Sequence, residues 1–427
     1  MNVPFKCRMN HHKINWATTT DWLIRLLLCT ISIAFSAEIV KGNDLTRLKP
    51  ETPRPVSSQE LAASIQRGVT YLLDHQREDG GWGGPQWTGG VDSDPIPGSF
   101  RSFDVAVTAL CLEALIGMPE REDIKRAKDR AYRFLIDRTN RIRRAGPNDL
   151  PQVWAHCYCI QTFAAMAQAT QETVQLRELT DAIHQHAERL ERWQSVHGGW
   201  FYYGSGMSKP INPSCSFVNA AVLVALSRSR DAGISIDQAM VDRALQATRL
   251  MRKPDASFLY SMRIPTDKTR AMQPINRPAG SLGRSQACNI ALWSWHDKQT
   301  TDKVIGDWLN RLVTRHGWLD MGRKRPIPHE SHAAVAGYFY YFGMYYGALC
   351  IEAMPRTEQA FYQHHLGQLL IERQEKDGSW FDYPLYSYHK PYGTAFALLS
   401  LQRCRVTPDN DANDTGISIG QNSGIAP

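Results

Sequence analysis

The densest group of acid–base side chains in the sequence is His329-Glu330-Ser331-His332. Imidazoles three residues apart share a face if the segment is helical, and such a pair can move protons or hold a metal. Asp104 and His156 are two more acid–base candidates, because each stands at the start of a strongly apolar stretch. Trp154, Asn219, Arg284, Tyr338 and Tyr392 occupy comparable places and are expected to contact a ligand. The aromatics Tyr338, Phe339, Tyr340, Tyr341, Phe342, Tyr345 and Tyr346 suit either an apolar pocket that steadies a cation or plain packing between helices. Arg323, Lys324 and Arg325, if they ring one opening with Arg284, would attract a diphosphate or a uronate. No metal site is expected, and the cofactor stays open. The sequence has no P-loop, dinucleotide glycine motif, HExxH or Gly-x-Ser-x-Gly.

These residues sit on a repeat. Arg67-Gly68-x-x-Tyr71-Leu72-x-x-x-Gln76-x-x-x-Gly80-Gly81-Trp82 is the fullest copy. Gln194-x-x-x-Gly198-Gly199-Trp200 and Gln374-x-x-x-Gly378-Ser379-Trp380 repeat its second half, and Arg130-Ala131-x-x-Phe134-Leu135 repeats its first. Weaker copies lead to Ala256-Ser257-Phe258 and to Gly317-Trp318. The period is about 60 residues and there are six units. Each unit holds one amphipathic helical pattern, such as Leu61, Ile65, Val69 and Leu72, and one pattern apolar nearly all round. The all-round apolar stretches are 105–116, 153–167, 217–226, 287–295, 333–353 and 392–401. A one-sided helix lies outside and an all-round apolar helix is buried. The expected fold is therefore all-α, an (α/α)6 toroid with six inner and six outer helices, since closure leaves no terminal face to cap.

The repeat resembles the QW motif of the terpene cyclase and protein prenyltransferase superfamily, with residues 67–82 matching at every position. The resemblance implies a structural motif that ties outer helices together, and activity in a central cavity at the N-terminal ends of the inner helices. It also implies an isoprenoid or other apolar ligand, and, through likeness to the His segment of the prenyltransferases, His156 and Cys157 as a weak zinc alternative without an Asp-x-Cys partner. Class II cyclases of that superfamily protonate an olefin with Asp-x-Asp-Asp, where clustered carboxyls keep one acid protonated. The matching stretch here is Asp104-Val105-Ala106-Val107, which retains only the first acid. Protonation-type cyclisation is therefore not expected. Two other readings stay open. A polysaccharide lyase or hydrolase would use Asp104 with Glu330, or His332 with Arg284. A non-catalytic, protein-binding toroid resembling the thioester domains of complement-like proteins would lack their Cys-Gly-Glu-Gln segment, as this sequence does.

Basic residues, the apolar run from Leu26 to Phe35 and Ala34-Phe35-Ser36-Ala37 read as a signal peptide over 1–37. Export to the periplasm or outside follows. Residues 38–58 form a linker, 59–405 the toroid and 406–427 a polar tail. The mature chain has no stretch of spanning length. Its remaining cysteines, each in an apolar stretch, read as small core residues, not as a disulfide framework. The net charge of +7 over 427 residues, with no basic stripe, argues against nucleic-acid binding. An apolar small molecule or lipid is the expected partner, and a protein partner remains open.

Overall fold

The computed structural model describes residues 50–90, 98–142, 152–202, 213–262 and 273–405. The expected leader, most of the linker and the tail lie outside the described residues.

Outer helices α1 (Ser58–Asp74), α3 (Glu122–Thr139), α5 (Thr173–Trp193), α7 (Gln238–Leu250), α9 (Asp302–Arg315) and α12 (Arg356–Ile371) alternate with inner helices. The inner helices are α2 (Arg101–Ile116), α4 (Val153–Ala169), α6 (Ser216–Asp231), α8 (Leu282–Ser294), α11 (Phe339–Glu352) and α13 (His389–Gln402). A single helical turn, α10 (Gly317–Asp320), follows α9. Among the described residues there is no strand, only two isolated bridges.

The inner helices touch in the cycle α2–α4–α6–α8–α11–α13–α2, so the ring closes. The fold is an (α/α)6 toroid. Each of the first five inner helices packs on the outer helix that follows it, and α13 packs on α1. The first outer helix and the last inner helix therefore complete one another. Burial follows the sequence pattern. Every residue of α11 from Phe339 to Ile351 is buried, whereas α1 buries the stripe Leu61, Ser64, Ile65, Gly68, Val69, Tyr71 and Leu72. Each fully buried large aliphatic contributes about 1.5–3 kcal/mol, so these two kinds of helix hold the ring mainly by exclusion of water.

Several helix starts are fixed locally. Ser57 and Glu60 make a reciprocal capping box on α1, and the Asp237 carboxylate accepts from the Ala239 and Met240 N–H groups at the start of α7. The inner helices begin up to five residues before their apolar stretches, because polar first turns belong to them. One expectation was wrong in the other direction. Residues 333–338 are not helical, and α11 begins at Phe339.

Three copies of the Gln-Gly-Trp repeat form one joint three times over. Gln76 Nε2 donates to Gly80 O (2.9 Å) and to Ala127 O of the next outer helix (2.9 Å). Gln194 does the same with Gly198 O and Met240 O, and Gln374 with Gly378 O and Ser64 O. Each tryptophan indole N–H caps its own outer helix, donating to Leu72 O (2.7 Å), Leu190 O (2.8 Å) or Leu370 O (2.8 Å). The matching backbone N–H groups of Trp82, Trp200 and Trp380 reach Thr108, Asn219 and Thr394 on inner helices. Gly378 has a φ of +86° and lies against the Arg67 carbonyl, where a Cβ would come within 2.6 Å of the oxygen. A fourth copy, 253–258, keeps the turn, with Ala256 at φ 55° in the glycine place and Phe258 in the tryptophan place. The expected fifth copy does not form this joint. Gly317-Trp318 is helical, and nothing lies within 4 Å of a Gly317 Cβ.

Candidate functional site

The joints set a register for the residues that follow them. Chain leaving the motif aromatic runs toward the next inner helix, and the second residue after it holds an equivalent place in each copy of the joint, partly exposed at Tyr202 and Tyr260 and buried at Gly84 and Asp382. Tyr202, Tyr260 and Asp382 went unmarked by sequence reasoning, although the repeat register points to each of them.

The tyrosines enter a chain of phenol and imidazole groups. Tyr202 Oη lies 3.2 Å from Tyr260 Oη, Tyr338 Oη lies 3.2 Å from His329 Nε2, and the Tyr260 and His329 rings meet edge-on at 5.6 Å, which brings the two pairs together. His329 Nδ1 is 2.8 Å from Ala334 O. A carbonyl only accepts, so Nδ1 carries the proton and Nε2 is the acceptor for the Tyr338 hydroxyl. Burial, reinforced by the nearby Arg284 charge, lowers the His329 pKa, which keeps the imidazole neutral and basic at Nε2. All four members are partly exposed.

Beneath this chain the axis is filled by rings. Trp154 and Phe217, each second in its inner helix, stack at 6.0 Å. Phe217 meets Phe339 edge-on at 5.1 Å, and Trp154 meets Phe342 at 6.4 Å. Helices α4 and α11 stand opposite one another in the ring, so the last contact crosses the axis. Deeper, Tyr158 and Phe396 meet at 5.8 Å. Beyond them Glu113 accepts from Arg228 (2.6 Å) and Gln161 (2.6 Å). These rings close the axis and give the mouth an aromatic floor, the cup, of which Trp154 is the partly exposed member.

Other expected residues take different places. His329 to His332 are in a loop, so no shared helix face exists; His332 is exposed and Glu330 faces Arg325 at 3.6 Å. His156 points away from the mouth, to the outer helix α5, with Nδ1 2.7 Å from His186 Nδ1. Thr139 Oγ1 donates to Leu135 O, so His186 Nε2 donates to Thr139, and His156 Nδ1 must donate to His186. Burial holds both histidines neutral, with His186 down to about 3 and His156 well below its usual value. Among the described residues no group of three or more His, Cys, Asp or Glu could hold a metal, so His156 and Cys157 lack a third ligand. The seven described cysteines are all buried.

Asp104 accepts from Arg77 (3.0 Å) and from the Tyr388 hydroxyl (2.9 Å), which fastens the first repeat to the last. Asn219 is buried and supports the Trp200 turn. Tyr392 is buried and donates to Asp382, which also accepts the Tyr341 N–H (2.9 Å). Burial raises the Asp382 carboxyl to about 7. Arg323, Lys324 and Arg325 face Asp320, Glu375 and Glu330, so they are not an open cationic rim. Arg284 is buried on backbone carbonyls, and Trp154 and Tyr338 are the expected ligand contacts that remain partly exposed at the mouth.

No protein-family model matches the sequence, and no curated protein matches it. Solved structures do. Cellobiose 2-epimerase from Spirochaeta thermophila DSM 6192 superposes with a TM-score of 0.54 at 15% identity, over 81% of this chain and 96% of that one. The GH76A alpha-1,6-mannanase from Salegentibacter sp. HEL1_6 does so at 0.51 and 9% identity, over 81% and 98%. Type II terpene cyclase MstE from Scytonema gives 0.48 at 15% identity, over 81% and 98%. The first two likenesses establish the fold, and with the closed cycle of inner helices they make this chain an (α/α)6 toroid.

Proposed function

We propose that the protein binds a ligand with an extended apolar face in the cup at the mouth, and that His329 with Tyr338 exchanges a proton with it. The observation that carries this reading is the stack of Trp154, Phe217, Phe339 and Phe342 closing the axis directly below partly exposed phenols. Rings there offer a flat apolar floor, and a neutral imidazole offers a base. The filled axis favours a ligand lying on the floor over one threaded into the ring. An isoprenoid is the class the repeat suggests. Titration calorimetry with farnesol tests it. Wild-type protein is expected to bind, and Trp154→Ala to bind about ten-fold more weakly. Folded wild-type protein giving no heat would sink the reading.

A second reading, sugar epimerisation, draws on the same phenol–imidazole chain and on the fold shared with an enzyme described as a cellobiose 2-epimerase. Turnover of cellobiose in place of farnesol binding would select it. Hydrolysis through paired carboxylates is disfavoured, because Asp104 and Glu330 each face an arginine. For export, the expectation is a mature protein that begins near Glu38, read by N-terminal sequencing. No helix of the described residues is long and apolar enough to cross a membrane.

A further inference from the structure

The charges beside the phenol chain do not balance. Arg284 is 1% exposed, yet every hydrogen-bond partner it has among the described residues is an uncharged oxygen: Phe258 O (3.0 and 3.1 Å), Gly280 O (2.7 Å), Ile275 O and Asn276 Oδ1 (3.4 Å). Lys253 Nζ donates to the Asn276 carbonyl (2.8 Å), so two cations flank one asparagine. Arg311 is the third cation of this cluster, 3.9 Å from Asp255, the carboxylate beside it. Asp255 is itself engaged by Ser257, from both its N–H and its hydroxyl. Among the described residues the carboxylates acting on these three cations are Asp255, shared by Lys253 and Arg311, and Asp307, which already pairs with Lys303 at 2.7 Å. The Arg284 guanidinium lies over the Tyr260 ring at 5.6 Å, and Tyr260 meets His329 edge-on at 5.6 Å. Buried charge of this kind is normally matched by an opposite charge nearby. On the side toward the mouth this charge faces the Tyr260 ring.

We infer that the ligand carries a single anionic group, such as a carboxylate, and that it seats this group on the Tyr260–His329 side of the cup, over Arg284. The inference rests on the apolar-ligand reading and names the polar end of that ligand. The guanidinium hydrogens are directed to carbonyls, so Arg284 acts on the anion through its field across the Tyr260 ring. A monoanion fits better than a diphosphate, because the cations that would embrace a larger charge, Arg323, Lys324 and Arg325, already face carboxylates.

Farnesol and farnesoate share one chain and differ in the head group, so the pair separates the two ideas. Calorimetry on the full chain at low salt should show farnesoate at least ten-fold tighter than farnesol, as expected for one charge acting across a partly solvated site. The advantage should shrink about three-fold in Lys253→Gln, and further in Arg284→Met if that variant folds. Equal affinity of the two ligands for wild-type protein overturns the anion inference and leaves the apolar cup standing. An advantage untouched by Lys253→Gln and by folded Arg284→Met also overturns it. Failure of both ligands to bind counts against the cup itself.

Discussion

The Gln-Gly-Trp joints and the fifth repeat, residues 302–352, solve the same connection in opposite ways. At the joints, glycine supplies the left-handed backbone, and each glutamine amide and tryptophan indole N–H meets a backbone carbonyl. In the fifth repeat the joint is missing, the connection is long, and Lys324, His329 and Ala334 take positive φ without being glycine. Such strain persists only where surrounding structure enforces it, and it gathers at working sites. The regular region is scaffold, and the irregular one presents His329 to the mouth.

Trp380→Ala should break the contrast most severely from the scaffold side. It empties a fully buried indole site and uncaps α12, at a cost of about 3–5 kcal/mol in urea unfolding. His329→Asn, which suits a left-handed backbone, should cost under about 1 kcal/mol while removing the acceptor for Tyr338. Equal losses in the two variants would erase the distinction between scaffold and site.

Acid should find a second weak place in the scaffold. Because the folded pKa values of His156 and His186 lie below the unfolded value of about 6.5, the unfolded chain binds more protons below that pH. Stability is then full above about pH 6.5 and falls as pH drops below it, by up to about 1.4 kcal/mol per unit for each histidine. Thermal melts from pH 7 to 4 should show this fall, and His156→Gln/His186→Gln should flatten it. A slope unchanged in that variant would place the acid lability elsewhere.

Ala256→Gly is the smallest expected effect and the sharpest test of the joint. A left-handed alanine costs about 1–2 kcal/mol, and the added freedom of glycine in the unfolded chain takes back about 0.5–1. Net stabilisation of up to about 1.5 kcal/mol should appear in the same unfolding assay. Destabilisation would mean that the fourth turn is not equivalent to the other three.

The fold was legible because its determinants are local and repeated. Helical periodicity separates the rings, and Gln, Gly and Trp spacing marks the joints. The site was legible only in part. Trp154, Tyr338 and His329 could be marked from their place before or within apolar stretches. The pairing of His156 with His186 across two helices could not, since no spacing reports which face of a wholly apolar helix a histidine takes. Nor could the occupation of Asp104 by Arg77 and Tyr388, which depends on ring closure. Tyr202 and Tyr260 were within reach of the repeat register, which placed them two residues after an aromatic.

The pairing of α1 with α13 also dictates an order of events. α1 is the first toroid helix to leave the ribosome, and its inner partner is the last. Its stripe from Leu61 to Leu72 therefore stays uncovered throughout synthesis, and the final contact joins segments nearly the whole chain apart. Contacts of such sequence separation form slowly. Until they form, α1 presents a sticky amphipathic surface, which a holding chaperone would recognise.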